Sequence, residues 1–446
     1  MRVRPRFRVL YNRSRESPWT LSVVGAVLGL VLGLLLGSLV GRHVPHLLVG
    51  VIWGSTMEQA RTIFVAILAV EITALSIVFS LSLLAVQSAA RVYSPRLISS
   101  YLRDPVGRLV LPTFVLTCVF CLVATARVGL SPELGVAPRP AVTVAILLIF
   151  ASGAALLVEV ARTILVIRVE AVASWVTRRT RKTLGFMSRL PGDRSGVPVP
   201  ISPSATAIRA PGSGYVMGVD DALLLSVARE HRLLVRIERA IGEGLVEGNV
   251  MGWVEPIQQG GKVSEDAASS LVDAVLLDRW RDQDTDVALG VRQLVDIAVR
   301  ALSAAVNDPY SAIVAIDHLS EVLVDLAGRR LGDRVLRDAD GTPLVSIRAP
   351  TFADYLFLAV DEISRYGATE PTVAVRLLRM TDEAGEAATT VADKQYAAEM
   401  AARILSLAEV ANTGGPGMER VRAAAAEAQQ QIMEGPTPGS RSRLTL

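Results

Sequence analysis

One carboxylate in the middle of a long apolar run is the strongest chemical signal in the sequence. Glu71 comes about eight residues into the run 63–86, and Ser76 and Ser80 follow it. A charged side chain at the bilayer centre costs about 2.5–3.5 kcal/mol, so this carboxyl group should face protein or water, or be protonated. The pattern is compatible with an ion or proton site lined by the serines. It is also compatible with a neutral, hydrogen-bonded carboxyl group that holds helices together.

Other reactive residue types give weaker signals. Cys118 and Cys121 form a C-x-x-C pair, but the pair lies in an apolar run without the βαβ context of redox motifs. We interpret these cysteines as two small apolar residues on one helix face. His318 follows Asp317 directly, and no activated nucleophile accompanies them. We therefore predict no catalytic residue, no metal site and no cofactor, and the chain is not expected to be an enzyme.

The composition predicts that these residues belong to a membrane protein. Of the 446 residues 51% are hydrophobic, which is high for an ordinary soluble protein. Four apolar runs are long enough to cross a bilayer as helices, namely 19–41, 63–86, 109–127 and 141–165. The lipid bilayer is thus the first expected partner. No separate basic tract with interleaved aromatic residues is present, so nucleic acid is not an expected partner.

The distribution of arginine predicts the orientation of the chain in the membrane. Six arginines lie in residues 1–18 and four lie in residues 88–108. The segments 41–62 and 128–140 together contain only three basic residues. Short cytoplasmic segments are enriched in Lys and Arg, so we expect both termini in the cytoplasm.

The first apolar run contains a ladder of glycines at every fourth position. These are Gly25, Gly29, Gly33, Gly37 and Gly41. The spacing puts all five on one helix face and leaves a groove in which a second helix can approach closely. The ladder therefore predicts a helix-packing surface. The partner helix could belong to the same chain or to a neighbouring subunit.

The remainder of the chain is predicted to be a cytoplasmic α+β domain. Proline, glycine and serine are frequent before residue 214, short glycine-punctuated strand patterns follow, and helical periodicity begins near residue 264.

The predicted fold class of the whole chain is an α-helical integral membrane protein with this domain at its C-terminal end. The predicted parts are a basic cytoplasmic N-terminus at 1–18, a four-helix transmembrane domain at 19–182, a linker at 183–214, a small barrel-like β module at 215–263, a helical bundle at 264–412 and a flexible tail at 413–446.

Two helices with a capping signal between them are predicted in the helical bundle. The run 287–304 has apolar residues at helical spacing, and its other face carries charges four residues apart, Arg292, Asp296 and Arg300. Such a ladder of alternating sign is typical of a solvated, salt-bridged face. Asp308 followed by Pro309 indicates an N-cap with proline at the first helical position, and the helix should end near Gly328.

Two segments, 79–115 and 279–319, resemble an uncharacterised family of bacterial predicted membrane proteins, domain of unknown function 2254. The resemblance extends over about 15–410. It implies four N-terminal membrane helices, a C-terminal cytoplasmic domain and a multi-pass location in the bacterial plasma (inner) membrane. It implies no established activity or catalytic residue. The positions that match its motifs are Ser94, Pro95, Arg96, Arg103, Asp104, Gln283, Asp284, Gly290, Arg292, Asp296, Arg300, Asn307, Asp308 and Pro309.

The sequence favours two functional hypotheses. The first is an oligomeric ion channel or ion-conducting protein, in which copies of the chain pack through small residues, a small ion passes, and the cytoplasmic domain regulates or assembles the pore. The second is a membrane-anchored sensor or scaffold whose cytoplasmic domain binds a protein partner. In the second hypothesis the helices serve only as an anchor.

Overall fold

The computed structural model of the chain describes residues 18–38, 56–92, 107–130, 139–194, 197–258, 260–412 and 414–434. The chain forms two compact units, Met1–Arg168 and Val169–Leu446. We call the first the helical unit and the second the α+β unit, and we describe each by itself.

The helical unit consists of apolar helices in the part of the chain that the structure describes. Their bounds are α1 (Pro18–Ser38), α2 (Met57–Val92), α3 (Gly107–Leu130) and α4 (Arg139–Ile167). Three segments are long and apolar enough to cross a membrane, namely Met57–Leu84, Gly107–Val128 and Arg139–Ile164. The corresponding part of α1, Thr20–Leu36, is shorter. Three of the four predicted spans are therefore confirmed as candidates, and the span in α1 stays a prediction.

Three glycines of the ladder, Gly25, Gly29 and Gly33, lie against α3 of the same chain. A Cβ atom added to Gly25 would come within 2.7 Å of the Pro112 carbonyl oxygen, and one added to Gly29 within 2.6 Å of the Leu116 carbonyl oxygen. At Gly33 the nearest atom would be Cβ of Val123, at 2.8 Å. These distances are too short for any side chain, so the two backbones approach as closely as the missing side chains allow.

The α+β unit alternates short strands with helices in its first half and is mainly helical in its second half. Its first half contains α5 (Val169–Met187), β1 (Thr206–Arg209), β2 (Gly214–Val219), α6 (Asp221–Glu230), β3 (Leu233–Ile237), β4 (Gly244–Leu245), β5 (Val250–Pro256), α7 (Glu265–Asp273) and β6 (Val275–Asp278). Its second half contains α8 (Val287–Ala301), α9 (Pro309–Ala327), β7 (Arg334–Arg337), β8 (Pro343–Ile347), α10 (Phe352–Tyr366), α11 (Pro371–Ala387), α12 (Val391–Ala411) and α13 (Pro416–Glu434).

The strands form two sheets, of order β1-β5-β3-β8-β7 and β4-β2-β6. All pairs are antiparallel except β3 with β8, where Val235 lies beside Val345. The predicted barrel-like module at 215–263 is not confirmed. Its strands are divided between the two sheets, which also contain β1 from the predicted linker and β6, β7 and β8 from the predicted helical bundle. An apolar core that includes Val235, Met251 and Leu271 lies between the sheets and helices α6 and α7.

Helix starts in the α+β unit follow local capping chemistry. Asp308 caps α9, and its carboxylate accepts a hydrogen bond from the Ser311 amide at 3.1 Å. Pro309 occupies the first helical position and Gly328 follows the last turn, which confirms the predicted bounds of this helix. Hydrogen bonds from the Ser311 hydroxyl and amide lower the pKa of Asp308. Asn307 adopts a left-handed conformation with φ of 47°, which asparagine tolerates better than most residues.

The close contact between α1 and α3 gives a direct test. We expect Gly29→Ala to destabilise the protein by about 1–3 kcal/mol, because its methyl group would collide with the α3 backbone. Gly153→Ala in α4 is the matched control, since nothing lies within 4 Å of its added Cβ. Thermal unfolding of the purified protein in detergent measures both. An equal unfolding temperature for the two variants would contradict the α1–α3 contact.

Candidate functional site

Glu71 lies in the interior of the helical unit, where α2, α3 and α4 meet. Its side chain is 1% exposed, and the Ser152 hydroxyl of α4 is placed to hydrogen-bond its carboxyl group. The Thr117 hydroxyl of α3 lies 3.2 Å from the Ser152 hydroxyl and donates or accepts there. Glu71 Oε2 has no hydrogen-bond partner among the described residues. One carboxyl group and two hydroxyl groups thus form a polar core between three apolar helices.

Ser76 and Ser80 do not belong to this polar core. Both are exposed on the opposite face of α2, and their hydroxyl groups donate to the carbonyl oxygens of Ile72 and Ser76 at 3.0 and 2.9 Å. The sequence grouped Glu71 with these serines as one candidate pore site. The helical period instead puts Ser76 and Ser80 on the face of α2 opposite Glu71, because they lie five and nine residues beyond it.

The exposed serines are part of a longer surface that we call the hydroxyl stripe. Its members are exposed and follow one another at intervals of four, three, four, three and four residues, namely Thr62, Ala66, Ala69, Thr73, Ser76 and Ser80. Large exposed apolar side chains border it, including Val70, Ile72 and Phe79. The spacing is visible in the sequence, where small and hydroxyl residues recur with the same period as the a and d positions of a heptad.

A second polar cluster lies farther along the same three helices. Glu159 of α4 is 3% exposed and accepts hydrogen bonds at 2.8 Å from the Ser82 hydroxyl of α2 and from Arg162 Nη1. The Arg162 guanidinium covers Gly107 at the start of α3, where an added Cβ would come within 1.8 Å of Nη1. The cluster thus joins α2 to α4 by a buried hydrogen bond and covers the start of α3.

In the α+β unit, helix α5 is held by residues that carry the family resemblance. Gln283 is 2% exposed, and its Nε2 donates to the Val176 carbonyl oxygen at 3.2 Å and to Thr180 Oγ1 at 3.0 Å. The main-chain carbonyl oxygen of Gln283 accepts from the Thr183 hydroxyl at 2.7 Å. Gly290 faces Thr180 so closely that an added Cβ would lie 1.9 Å from its Oγ1. We call these contacts the α5 clamp.

Ion pairs flank the α5 clamp on both sides. Arg179 Nε lies 2.8 Å from Asp284 Oδ1, and the Arg179 guanidinium also stacks 5.4 Å from the Trp175 ring centre. Arg181 Nε lies 2.6 Å from Asp325 Oδ2 of α9. Partly exposed pairs of this kind contribute little individually, so the buried amide and the glycine contact fix the helix. The two pairs connect α5 to the segment before α8 and to α9.

The predicted charge ladder of α8 forms its salt bridge and is only partly exposed to solvent. Arg292 Nε lies 2.8 Å from Asp296 Oδ1, and Arg292 Nη1 lies 2.6 Å from Glu362 Oε2 of α10. The Asp296 side chain is only 11% exposed, because α10 packs over this face. Hydrogen bonds and charges from Glu362 and Asp296 oppose the effect of burial, and together they raise the pKa of Arg292. Arg292 therefore also joins α8 to α10.

Several predicted positions cannot be placed. The described residues do not include Gly41 or the motif positions Ser94, Pro95, Arg96, Arg103 and Asp104. Gly37 lies within α1, but the structure does not describe its surroundings. Arg300 belongs to α8, where its carbonyl oxygen accepts from the Ser303 hydroxyl at 2.7 Å.

Comparisons with known proteins connect this geometry to a family. The sequence profile described as "Predicted membrane protein (DUF2254)" matches residues 15–383. Uncharacterized proteins of Mycobacterium tuberculosis and Mycobacterium bovis are each 34% identical over 345 residues, which is 75% of this chain. The chain covers 65% of the length of these relatives. No solved structure matches the chain significantly.

The α5 clamp predicts a specific effect of one methyl group. We expect Gly290→Ala to displace α5, since the side chain of Thr180 is stiff and its hydroxyl is already bonded to the Val176 carbonyl oxygen at 2.8 Å. Trypsin should then cleave faster at Arg178 and Lys182. The matched control is Gly185→Ala within α5, where nothing lies within 4 Å. Equal cleavage rates in the two variants would show that the clamp does not hold the helix.

Proposed function

Since this chain belongs to the DUF2254 family of predicted membrane proteins, we propose that it is an oligomeric ion-conducting protein whose path lies between copies. In this proposal α1 is the fourth span, and both termini lie in the cytoplasm of a bacterial cell. The α+β unit is the cytoplasmic domain that regulates or assembles the oligomer.

The hydroxyl stripe on α2 is the observation that carries the proposal. Lipid-facing helix surfaces are predominantly large and apolar, whereas small and hydroxyl residues concentrate where helices of a membrane protein meet or where water enters. The stripe is exposed among the described residues. Its hydroxyl protons are donated within α2, so its hydroxyl oxygens remain as acceptors for a neighbouring copy or a cation. Around an oligomer axis, the stripes of several copies would form a polar path. The bordering Ile72 and Phe79 would then pack against neighbouring helices.

The interior of one copy is a less suitable path. Glu71 is surrounded by closely packed side chains, and Phe64 and Phe120 are fully buried in the neighbouring core. Moving an ion past them would require the three helices to separate. We therefore assign Glu71 to the assembly of the helical unit and the hydroxyl stripe to conduction.

The α5 clamp supports a regulatory role for the α+β unit. Helix α4 ends at Ile167 and α5 begins at Val169, so a single residue separates the helix that contains a candidate span from a clamped helix. A change in the α+β unit that shifts α5 would therefore pull on α4 through the single residue Arg168. Regulation by this route requires no further contact between the units.

Cysteine accessibility tests the proposed path. In a variant without Cys118 and Cys121, we expect Ser76→Cys to react with a charged, water-soluble methanethiosulfonate and to change ion flux into liposomes. Phe79→Cys, which borders the stripe, is the control and should react about tenfold more slowly or not at all, because the reactive thiolate requires water.

Two outcomes would contradict the proposal. One is equal protection of Ser76→Cys and Phe79→Cys, which would put the hydroxyl stripe in lipid or in a dry helix contact. The other is absence of flux over a wide range of voltage, pH and membrane tension. Absence of flux would favour the alternative, a membrane-anchored sensor or scaffold whose cytoplasmic domain binds a protein partner.

The assignment of Glu71 gives a separate prediction. Glu71→Gln keeps the shape of the side chain and its hydrogen bonding to Ser152, so ion selectivity and flux should equal those of the wild type. Thermal unfolding of the same preparation confirms that the variant is folded. A change in selectivity in a folded variant would place the conducting path inside one copy and would overturn the path between copies.

A further inference from the structure

Helix α5 has two unlike faces. One face is buried in the α+β unit and includes Val176, Leu184 and Thr180, the last of which belongs to the α5 clamp. The other face carries cations and aromatic rings, and we call this row the basic stripe. Its members follow one another at intervals of three, four, four and three residues, namely Trp175, Arg178, Lys182, Phe186 and Arg189. These intervals keep the row on one side of the helix.

The basic stripe is accessible among the described residues. Its cations Arg178, Lys182 and Arg189 are exposed, and the apolar side chain of Phe186 is 57% exposed. In the described part of the chain no carboxylate lies within ion-pair distance of these three cations, and the Arg178 guanidinium donates to the Ser174 hydroxyl instead. Because the α5 clamp fixes the rotation of the helix, the basic stripe faces outward before any partner binds.

The carboxylates that face α5 lie beside the basic stripe. Two arginines of α5 each contact two carboxylates of neighbouring segments, namely Arg179 with Asp282 and Asp284, and Arg181 with Glu321 and Asp325. Glu170 is exposed at the start of the helix. The sides of α5 thus carry a small excess of negative charge, and the positive charge is confined to the basic stripe. Only an anionic partner that touches the basic stripe gains from its cations, since the charges beside it act against attraction over longer distances.

Charge is distributed unevenly between α5 and the remainder of the α+β unit. Residues 169–194 contain six basic and two acidic side chains. Residues 195–446 contain 24 basic and 35 acidic side chains. A negatively charged surface would therefore attract the segment that contains α5 and repel the remainder of the unit. This difference would orient the unit with its basic stripe toward that surface.

A membrane is the anionic surface to which the chain itself ties the basic stripe. The candidate span in α4 ends at Ile164, and α5 begins at Val169. Since α5 has 19 residues, it is about 28 Å long, and each stripe position lies close to the end of the span along the chain. Lysine and arginine that follow a span bind anionic lipids of the cytoplasmic leaflet. Aromatic rings such as those of Trp175 and Phe186 suit the boundary between headgroups and acyl chains.

We propose that the basic stripe binds anionic phospholipids of the cytoplasmic leaflet, so that α5 lies along the membrane surface. Phosphate groups accept hydrogen bonds from Arg178, Lys182 and Arg189, and the Phe186 ring enters the boundary between headgroups and acyl chains. The contact holds the α+β unit beside the membrane through α5. It rests on the cytoplasmic location given to this unit in the proposed function, but not on ion conduction.

Fluorescence quenching in lipid nanodiscs tests the contact without measuring ion flux. In the full chain without Cys118 and Cys121, Phe186→Cys carries a bimane label, and a constant fraction of brominated phospholipid serves as the quencher. We expect quenching to be about twofold stronger in an equal mixture of phosphatidylglycerol and phosphatidylcholine than in phosphatidylcholine alone, because the anionic lipid holds α5 at the surface. Concentrated potassium chloride should remove this increase, since salt screens exposed charges. Val246→Cys, at a position that is 61% exposed, is the labelled control and should not respond to lipid composition.

Two triple variants of the labelled protein, with the same change in charge, separate the basic stripe from the net charge of the unit. The first variant removes the cations of the basic stripe, namely with Arg178→Gln, Lys182→Gln and Arg189→Gln. The second removes one lysine and two arginines that are exposed elsewhere in the unit, namely with Lys262→Gln, Arg330→Gln and Arg420→Gln. We expect the first variant to lose the increase in quenching and the second to retain it. Thermal unfolding checks that both variants are folded.

Three results would overturn the proposal. One is quenching at position 186 that is no stronger than at position 246, which would mean that α5 points away from the membrane. Another is an equal response of the two triple variants to phosphatidylglycerol. The third is a label at position 186 that is protected from iodide in the water but is not quenched by brominated lipid, which would place a second copy of the chain on the basic stripe.

Discussion

Both units depend on glycines that let neighbouring helices approach closely, because glycine has no side chain. Between apolar helices in lipid there is no hydrophobic driving force, so association requires short contacts and satisfied polar groups. Gly25 and Gly29 let α1 reach the carbonyl groups of α3. The same device recurs in the α+β unit, where Gly290 admits the Thr180 side chain. In both places a single added methyl group would occupy space that the neighbouring helix already fills.

Polar groups then determine how the closely packed helices are arranged. Ser152 and Thr117 connect to Glu71 in one layer, and Glu159 with Arg162 forms a second layer. Each layer takes residues from more than one helix, so a rotation of one helix would break hydrogen bonds in a region where water cannot replace them. The layers therefore set the rotation of the helices, and the glycines set the distance between α1 and α3.

Features encoded in short stretches of sequence could be predicted, whereas long-range pairings could not. The apolar runs gave α2, α3 and α4, and Asp308 with Pro309 gave the start of α9, because both signals are local. The sheet that joins Val235 to Val345 has no local signal, since those strands lie more than a hundred residues apart and pair in parallel. The polar partners of Glu71 were missed for the same reason. They are single hydroxyl residues on other helices.

The two faces of α2 differ in a way that connects structure with the proposed function. A serine or threonine on a helix can satisfy its hydroxyl group with the carbonyl oxygen four residues earlier, as Thr73 and Ser76 do at 3.0 Å. Such a face tolerates lipid, protein or water. The Glu71 carboxyl group is not bonded within its own helix, and it meets Ser152 of α4 instead. Burial of Glu71 therefore orients α2, and among the described residues of the helical unit this orientation leaves the hydroxyl stripe exposed.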